Sequence, residues 1–154
     1  MNLGMTGFIA MNPPRKHSET RPRASLVLVV DDSPDTRAVY RGVFFAEGIL
    51  VEEAGDGIRA IAKALLCRPD VIVLDYCMPR MDGGETLQLL ARDPRTKGIP
   101  VILATGSPSD VPVEARVLAA AIIAKPCDPD DIVEAVRALV PRAKPAGTYL
   151  WRVK

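Results

Sequence analysis

The sequence lacks most of what would tie it to a membrane, a zinc site or a nucleotide. No apolar run is long enough to cross a bilayer, which takes about 20 residues. Met1 to Ala10 are mildly apolar but lack the basic start of a secretory signal. Cysteine is scarce: Cys67, Cys77 and Cys127 are odd in number, far apart and form no CxxC pair. Free thiols in a reducing cytosol fit that usage, so a cytoplasmic location is expected. With His17 as the lone histidine, the cysteines argue against zinc. The absence of a GxxxxGK run excludes a nucleotide-binding P-loop. Neither sign of charge dominates: 20 basic and 19 acidic residues leave a net charge of +1. That balance gives no global argument for binding nucleic acid or a membrane surface, and neither contact is expected. There are no internal repeats.

What is present is an ordinary globular composition, 48% apolar and 25% charged over 154 residues. A chain of this size can bury about two-thirds of its unfolded surface, enough for one core. Residues 1–25 hold prolines, small residues and the basic Arg15, Lys16, Arg21 and Arg23, without periodicity, and read as a flexible, solvated arm. Residues 141–154 read as a basic tail carrying Tyr149, Leu150 and Trp151, with a frayed end the commoner case. The domain is expected over 26–140.

The chain is organised around VIVLDYCMPRMDG, residues 71–83. Val71 to Leu74 suit a strand covered on both faces, as in a parallel sheet. The run ends in Asp75, a carboxylate delivered at the strand tip. Met78-Pro79 and Asp82-Gly83-Gly84 then mark a loop. A first strand, LVLVV at 26–30, runs into Asp31-Asp32. Ser33, Pro34 and Asp35 open a helix whose apolar face is Val39, Tyr40, Val43 and Phe44, and Gly48 stops it. Residues 49–51 predict a short strand, placed at the sheet edge by the early passage into Glu52-Glu53. Ile58, Ile61, Leu65 and Leu66 predict a second helix ending before Pro69. A third covers about 84–92, with Leu87, Leu90 and Ala91 on one side. PVILA at 100–104 is another buried strand, followed by Thr105-Gly106. Prolines then confine a fourth helix to about 113–120. AIIA at 121–124 is a weak strand leading to Lys125-Pro126, and Asp128-Pro129 opens a last helix with Ile132, Val133, Val136 and Leu139 inward. Five strands alternating with five helices predict a parallel sheet with helices on both faces.

All strand ends of a parallel sheet point the same way, and ligands bind beyond them. Asp31, Asp32, Asp75, Thr105 and Lys125 therefore converge on one mouth. Packed carboxylates repel and resist ionising unless a cation joins them. A hard divalent ion suits them: Mg²⁺ takes one or two carboxylates, keeps waters and shares phosphate oxygens. Thr105 and Lys125 would hold anionic oxygens that the metal does not reach. Such a site suits phosphoryl transfer, and a carboxylate beside the metal can be the nucleophile.

On these motifs the chain resembles the receiver domains of two-component response regulators. The matching residues are Asp31-Asp32, Asp75 with MPRMDG behind it, Thr105, and Lys125-Pro126. The resemblance covers residues 25–140. It implies a flavodoxin-like (βα)5 three-layer sandwich with strand order 2-1-3-4-5, an order known for the family and not read from the pattern. It implies Asp75 as phosphoacceptor. Asp32, Asp75 and the Cys77 backbone carbonyl would ligate Mg²⁺, with Asp31 acting through water. Thr105 would hydrogen-bond the phosphoryl group, Lys125 would pair with Asp75 or its phosphate, and the Lys125-Pro126 bond would be cis. The donor would be a histidine kinase or histidine phosphotransfer protein. The implied role is a stand-alone switch acting on an unidentified protein target, not an enzyme. His17 lies in the arm and is not a phosphohistidine candidate.

The sequence departs from the family pattern at Ile122, which holds the position of a switch aromatic, and at Ala119-Ala120-Ala121, which replace a Gly-Ala turn. Cys77 and Ser107, two residues beyond Asp75 and Thr105, are both small. Ile122 and the short fourth helix keep a second reading open, a receiver fold that binds partners without phosphate. A phosphatase of the haloacid dehalogenase type needs a second Asp where Cys77 stands.

Overall fold

The computed structural model describes residues 24–140. His17, the rest of residues 1–23 and the tail with Tyr149 to Trp151 lie outside the described residues. The described chain runs β1 (Leu26–Val30), α1 (Pro34–Ala46), β2 (Leu50–Ala54), α2 (Gly57–Cys67), β3 (Val71–Asp75), α3 (Gly83–Arg92), β4 (Val101–Thr105), a 3-10 turn (Pro108–Asp110), α4 (Val113–Leu118), β5 (Ala121–Ala124) and α5 (Pro129–Leu139). The five strands are all parallel and lie in the order β2-β1-β3-β4-β5. The alternating pattern and the expected order are both met.

Successive strand residues face opposite sides of the sheet, and the core divides accordingly. Leu28, Ile72, Leu74 and Leu103 join Leu87 and Leu90 of α3 in one cluster. Val27, Val29, Val73 and Ile102 join Phe44 of α1 and Ile132 and Val136 of α5 in the other. β3, buried at all five positions, is the central wall between them. The helix starts are built as the sequence implies. Ser33 caps α1, its hydroxyl accepting from Thr36 N at 3.3 Å, with Pro34 in the first turn. Asp82 and Glu85 form a reciprocal capping box on α3. Gly48 takes φ +70 just past α1, a conformation glycine adopts at little cost.

Several boundaries and faces differ from the expectation. β2 is longer than 49–51 because Glu52 and Glu53 stay in the ladder while their carboxylates reach Lys63 and Arg41, both at 2.9 Å. β4 starts at Val101 and takes in Thr105. α4 ends at Leu118, two residues short of the expected end. The helix marked by Ile58, Ile61, Leu65 and Leu66 is present as α2 and ends before Pro69. Its buried face is Gly57, Ala60 and Ala64, while Ile58 and Leu66 are exposed. A side chain on Gly57 would fall 2.2 Å from Thr86 Oγ1, so α2 packs through its smallest residues and the branched ones are turned out. Val39 is likewise exposed on α1.

Candidate functional site

Each polar group of interest is delivered by a strand end. β1 passes from Val30 to Asp31, which is buried, and Asp32, which is exposed. β3 ends in the buried Asp75 and β4 in the buried Thr105. Lys125 follows β5, and its backbone N–H donates to Thr105 O at 2.7 Å, fixing the two tips side by side. The Lys125-Pro126 peptide is cis, as the resemblance implies.

The side chains converge. One carboxylate oxygen from each of Asp31, Asp32 and Asp75 lies within 4.8 Å of the others. Lys125 Nζ donates to Asp75 Oδ1 at 3.0 Å and to Asp31 Oδ2 at 3.1 Å. The two oxygens of Asp31 are both engaged, since Oδ1 accepts from Ser33 N at 2.8 Å. Asp75 Oδ1 also accepts a long bond from Cys77 N at 3.4 Å. Among the described residues, no hydrogen bond reaches Asp75 Oδ2 or the carboxylate of Asp32. Thr105 Oγ1 accepts from Ser107 N at 3.1 Å, which leaves its own proton to donate. Cys77 is exposed at the rim, and Ile122 is half-buried against the cluster on the α2–α3–α4 side.

The electrostatics follow from three carboxylates facing one ammonium. Burial pushes the Asp75 carboxyl above the usual carboxylate range, Asp31 adds to the rise, and the hydrogen bond from Lys125 only partly offsets it. Burial alone would lower Lys125, but its bonds to Asp75 and Asp31 prevail and leave it raised. Ionising all three acids leaves two net negative charges beside the lysine, with oxygen as the donor atom throughout. Those residues fit a hard divalent cation such as Mg²⁺.

Three residues position the site in ways that the sequence does not assign to them. Arg37 Nη1 donates to Asp31 O at 2.6 Å and holds the β1 tip. Ser33 acts on Asp31 through its backbone N–H. Gly83 is packed so closely that a side chain there would lie 2.5 Å from Asp75 O and 2.7 Å from Tyr76 Cα. Its N–H donates to Tyr76 O at 2.8 Å, pinning the loop after Asp75. The Asp-Gly pair signals a turn in the sequence, but the close approach needs coordinates.

Fold and pocket together define a class: a doubly wound α/β domain with a cation-ready acidic cleft at its strand ends. The chain belongs to the response regulator receiver domain family, whose model matches residues 27–137. It is 35% identical over 118 residues to the DNA-binding dual master transcriptional regulator RpaA of Synechocystis, covering 75% of this chain and 49% of that protein. It is 36% identical over 121 residues to the probable transcriptional regulatory protein TcrX of Mycobacterium tuberculosis, covering 75% and 50%. The chain thus spans about half the length of these curated relatives. Among solved structures it resembles the chemotaxis response regulator CheY4 of Vibrio cholerae, with a TM-score of 0.70 and 29% identity, over 77% of this chain and all of that one. Receiver domains are signalling modules that interact with histidine kinases and bind Mg²⁺ at an acidic pocket. Among the described residues, no helix is long and apolar enough to cross a membrane.

Proposed function

We propose that the chain is a single-domain phosphoacceptor switch over residues 26–140, charged at Asp75 by a histidine kinase or histidine phosphotransfer protein and acting through a protein target. The observation that carries this reading is the split between the two oxygens of Asp75: Oδ1 is tied to Lys125 and Cys77 N, while Oδ2 is left for chemistry. Oδ2 would attack the phosphorus of a phosphohistidine. The new O–P bond forms as the P–N bond breaks, and the electron pair leaves on the imidazole. Lys125 would hold the transferred phosphoryl group by charge, and Thr105 would donate its free hydroxyl proton to a phosphoryl oxygen.

Mg²⁺ would neutralise oxygen charge during the transfer. Asp32, whose carboxylate is free of hydrogen bonds among the described residues, and Asp75 would hold it directly with the Cys77 carbonyl. Asp31, with both oxygens engaged, would act through water. The switch would work in the cytoplasm without touching nucleic acid itself. Ile122 favours a second reading, a phosphate-independent binding module, because a half-buried aliphatic side chain there cannot swing as an aromatic does. Phosphotransfer profiling against purified histidine kinases separates the two. Rapid transfer from at least one kinase, lost in Asp75→Asn, supports the switch. Partner binding that persists unchanged in Asp75→Asn, with no transfer from any kinase, supports the module.

A further inference from the structure

Between the start of α2 and the loop after β3 lies a cavity of about 190 Å³ that the phosphoacceptor reading does not use. Gly57, Ile58, Pro79 and Met81 give it an apolar lining, and Arg59 and Arg80 stand at its rim. An apolar space of ~150 Å³ is enough to take up a benzene ring, so this one can seat a single large aliphatic or aromatic side chain. The cavity continues into an apolar strip. The core face of α2 is Gly57, Ala60 and Ala64. At 100° per residue, the side turned away from that face reads Leu65, Ile58, Ala62, Leu66. Ile58 is 68% exposed and Leu66 83%. Single exposed aliphatic residues are ordinary, but a continuous strip that runs into a cavity marks an interaction site.

The charges around the strip decide what it takes. The acids on this side of the domain are engaged. Asp56 caps α2 through Arg59 N at 2.8 Å, Glu52 pairs with Lys63 at 2.9 Å, and Asp82 and Glu85 cap α3. The arginines are not held in the same way. Arg59 is exposed, and its ion-pair contact, to Asp56 of its own turn, is 3.6 Å. Among the described residues, no hydrogen bond or ion pair reaches the guanidinium of Arg80. Arg68, just past the other end of the helix, is exposed as well. The strip is apolar along its length and basic at its ends. In a two-fold pair the same patch meets itself, so a second copy would set arginine against arginine. A small molecule would fill the cavity and leave the strip bare over the ~12 Å from Ile58 to Leu66, at 1.5 Å per residue.

We propose that this surface docks an acidic segment of a partner protein. One large apolar side chain of the segment enters the cavity beside Met81. Its carboxylates pair with Arg59 and Arg80, the geometry that a guanidinium fork favours. Further apolar residues cover the strip toward Leu66. The pocket of Asp31, Asp32 and Asp75 carries the opposite charge to the two arginines and would turn such a segment away, so docking and phosphoacceptance use separate surfaces.

The test is a peptide display selection against the whole chain, in chelator and without a phosphodonor, so that chemistry at Asp75 plays no part. Selected peptides are titrated into methyl-labelled chain. The expected peptides combine Asp or Glu with a large apolar residue and shift the methyls of Ile58, Leu66 and Met81. Ile58→Lys should weaken their binding about tenfold or more, as loss of an interface anchor does. The double variant Arg59→Glu, Arg80→Glu should weaken it as well, and peptides with Lys in place of their acids should regain binding to that variant. All three positions are exposed, and unchanged methyl spectra elsewhere would show that the variants fold. A selection without acidic-apolar peptides would overturn the proposal, as would peptides that shift methyls on another face or bind both variants unchanged. Self-association that disappears in Ile58→Lys would overturn it in favour of a second copy. Binding to phosphatidylglycerol vesicles with no peptide binding would overturn it in favour of an anionic membrane.

Discussion

At the scale of single residues, the account turns on how Asp75 is held. Its carboxyl is raised because burial opposes ionisation more than Lys125 relieves it. A neutral amide removes that opposition. Asp75→Asn, melted in chelator at neutral pH, is therefore expected to be at least as stable as the parent chain; clear destabilisation would contradict the electrostatics given for the pocket. Gly83 makes the opposite prediction. A methyl group there would meet Asp75 O at 2.5 Å, and backbone cannot swing aside as a side chain can. Gly83→Ala should cost about 1–3 kcal/mol in denaturant unfolding, as overpacking does. The acidic residues, Thr105 and Lys125 were legible in the sequence because each is a polar residue ending an apolar run. Ser33 was legible as a helix cap and Gly83 as a turn, but their hold on the site, like that of Arg37, was not, because each acts on or through backbone atoms, and no residue pattern records where a backbone will pass.

At the scale of elements, α2 is where pattern and structure part company. Its aliphatic residues marked a helix, but the face it buries is made of Gly57, Ala60 and Ala64. Thr86 of α3 comes so close to Gly57 that no side chain fits there, and Ala60 and Ala64 are fully buried on the same face. Enlarging them should be costly: Ala60→Leu or Ala64→Leu is expected to destabilise by about 1–3 kcal/mol. Ile58→Lys should change global stability by no more than about 0.5 kcal/mol, the range for surface positions. Urea unfolding of the three variants checks the ranking, and a costly Ile58→Lys would contradict it. β2 was underestimated for a related reason: Glu52 and Glu53 look like a strand's end until Lys63 and Arg41 are placed beside them. The segment between β4 and α4 adds a further expectation. Arg116 Nε donates to Val111 O at 2.8 Å, and its Nη2 donates to Pro108 O, so one side chain ties the 3-10 turn to α4. Arg116→Ala should speed amide exchange at Asp110 and Val111 while leaving β3 and β4 protected.

At the scale of the whole molecule, charge links the pocket to stability. Burial, together with Cys127, pushes the Tyr40 phenol up from 10.0 to about 12. The folded chain then holds that proton more tightly than the unfolded chain. The contribution is complete below pH 10 and is lost as pH climbs toward 12, with the raised Lys125 losing its share in the same direction. Tyr40→Phe should flatten the alkaline fall in melting temperature. Mg²⁺ should stabilise the parent chain by about 2.7 kcal/mol at 100 times its Kd, and Asp75→Asn by less. All of this rests on Asp75 accepting a phosphoryl group. The direct measurement is the intact mass of the chain after acetyl phosphate, with Mg²⁺ and with chelator, beside Asp75→Asn. The account predicts a mass gain of one phosphoryl group in the parent chain only, and only with Mg²⁺. A parent chain that gains nothing, or an Asp75→Asn chain that gains as much, would contradict it.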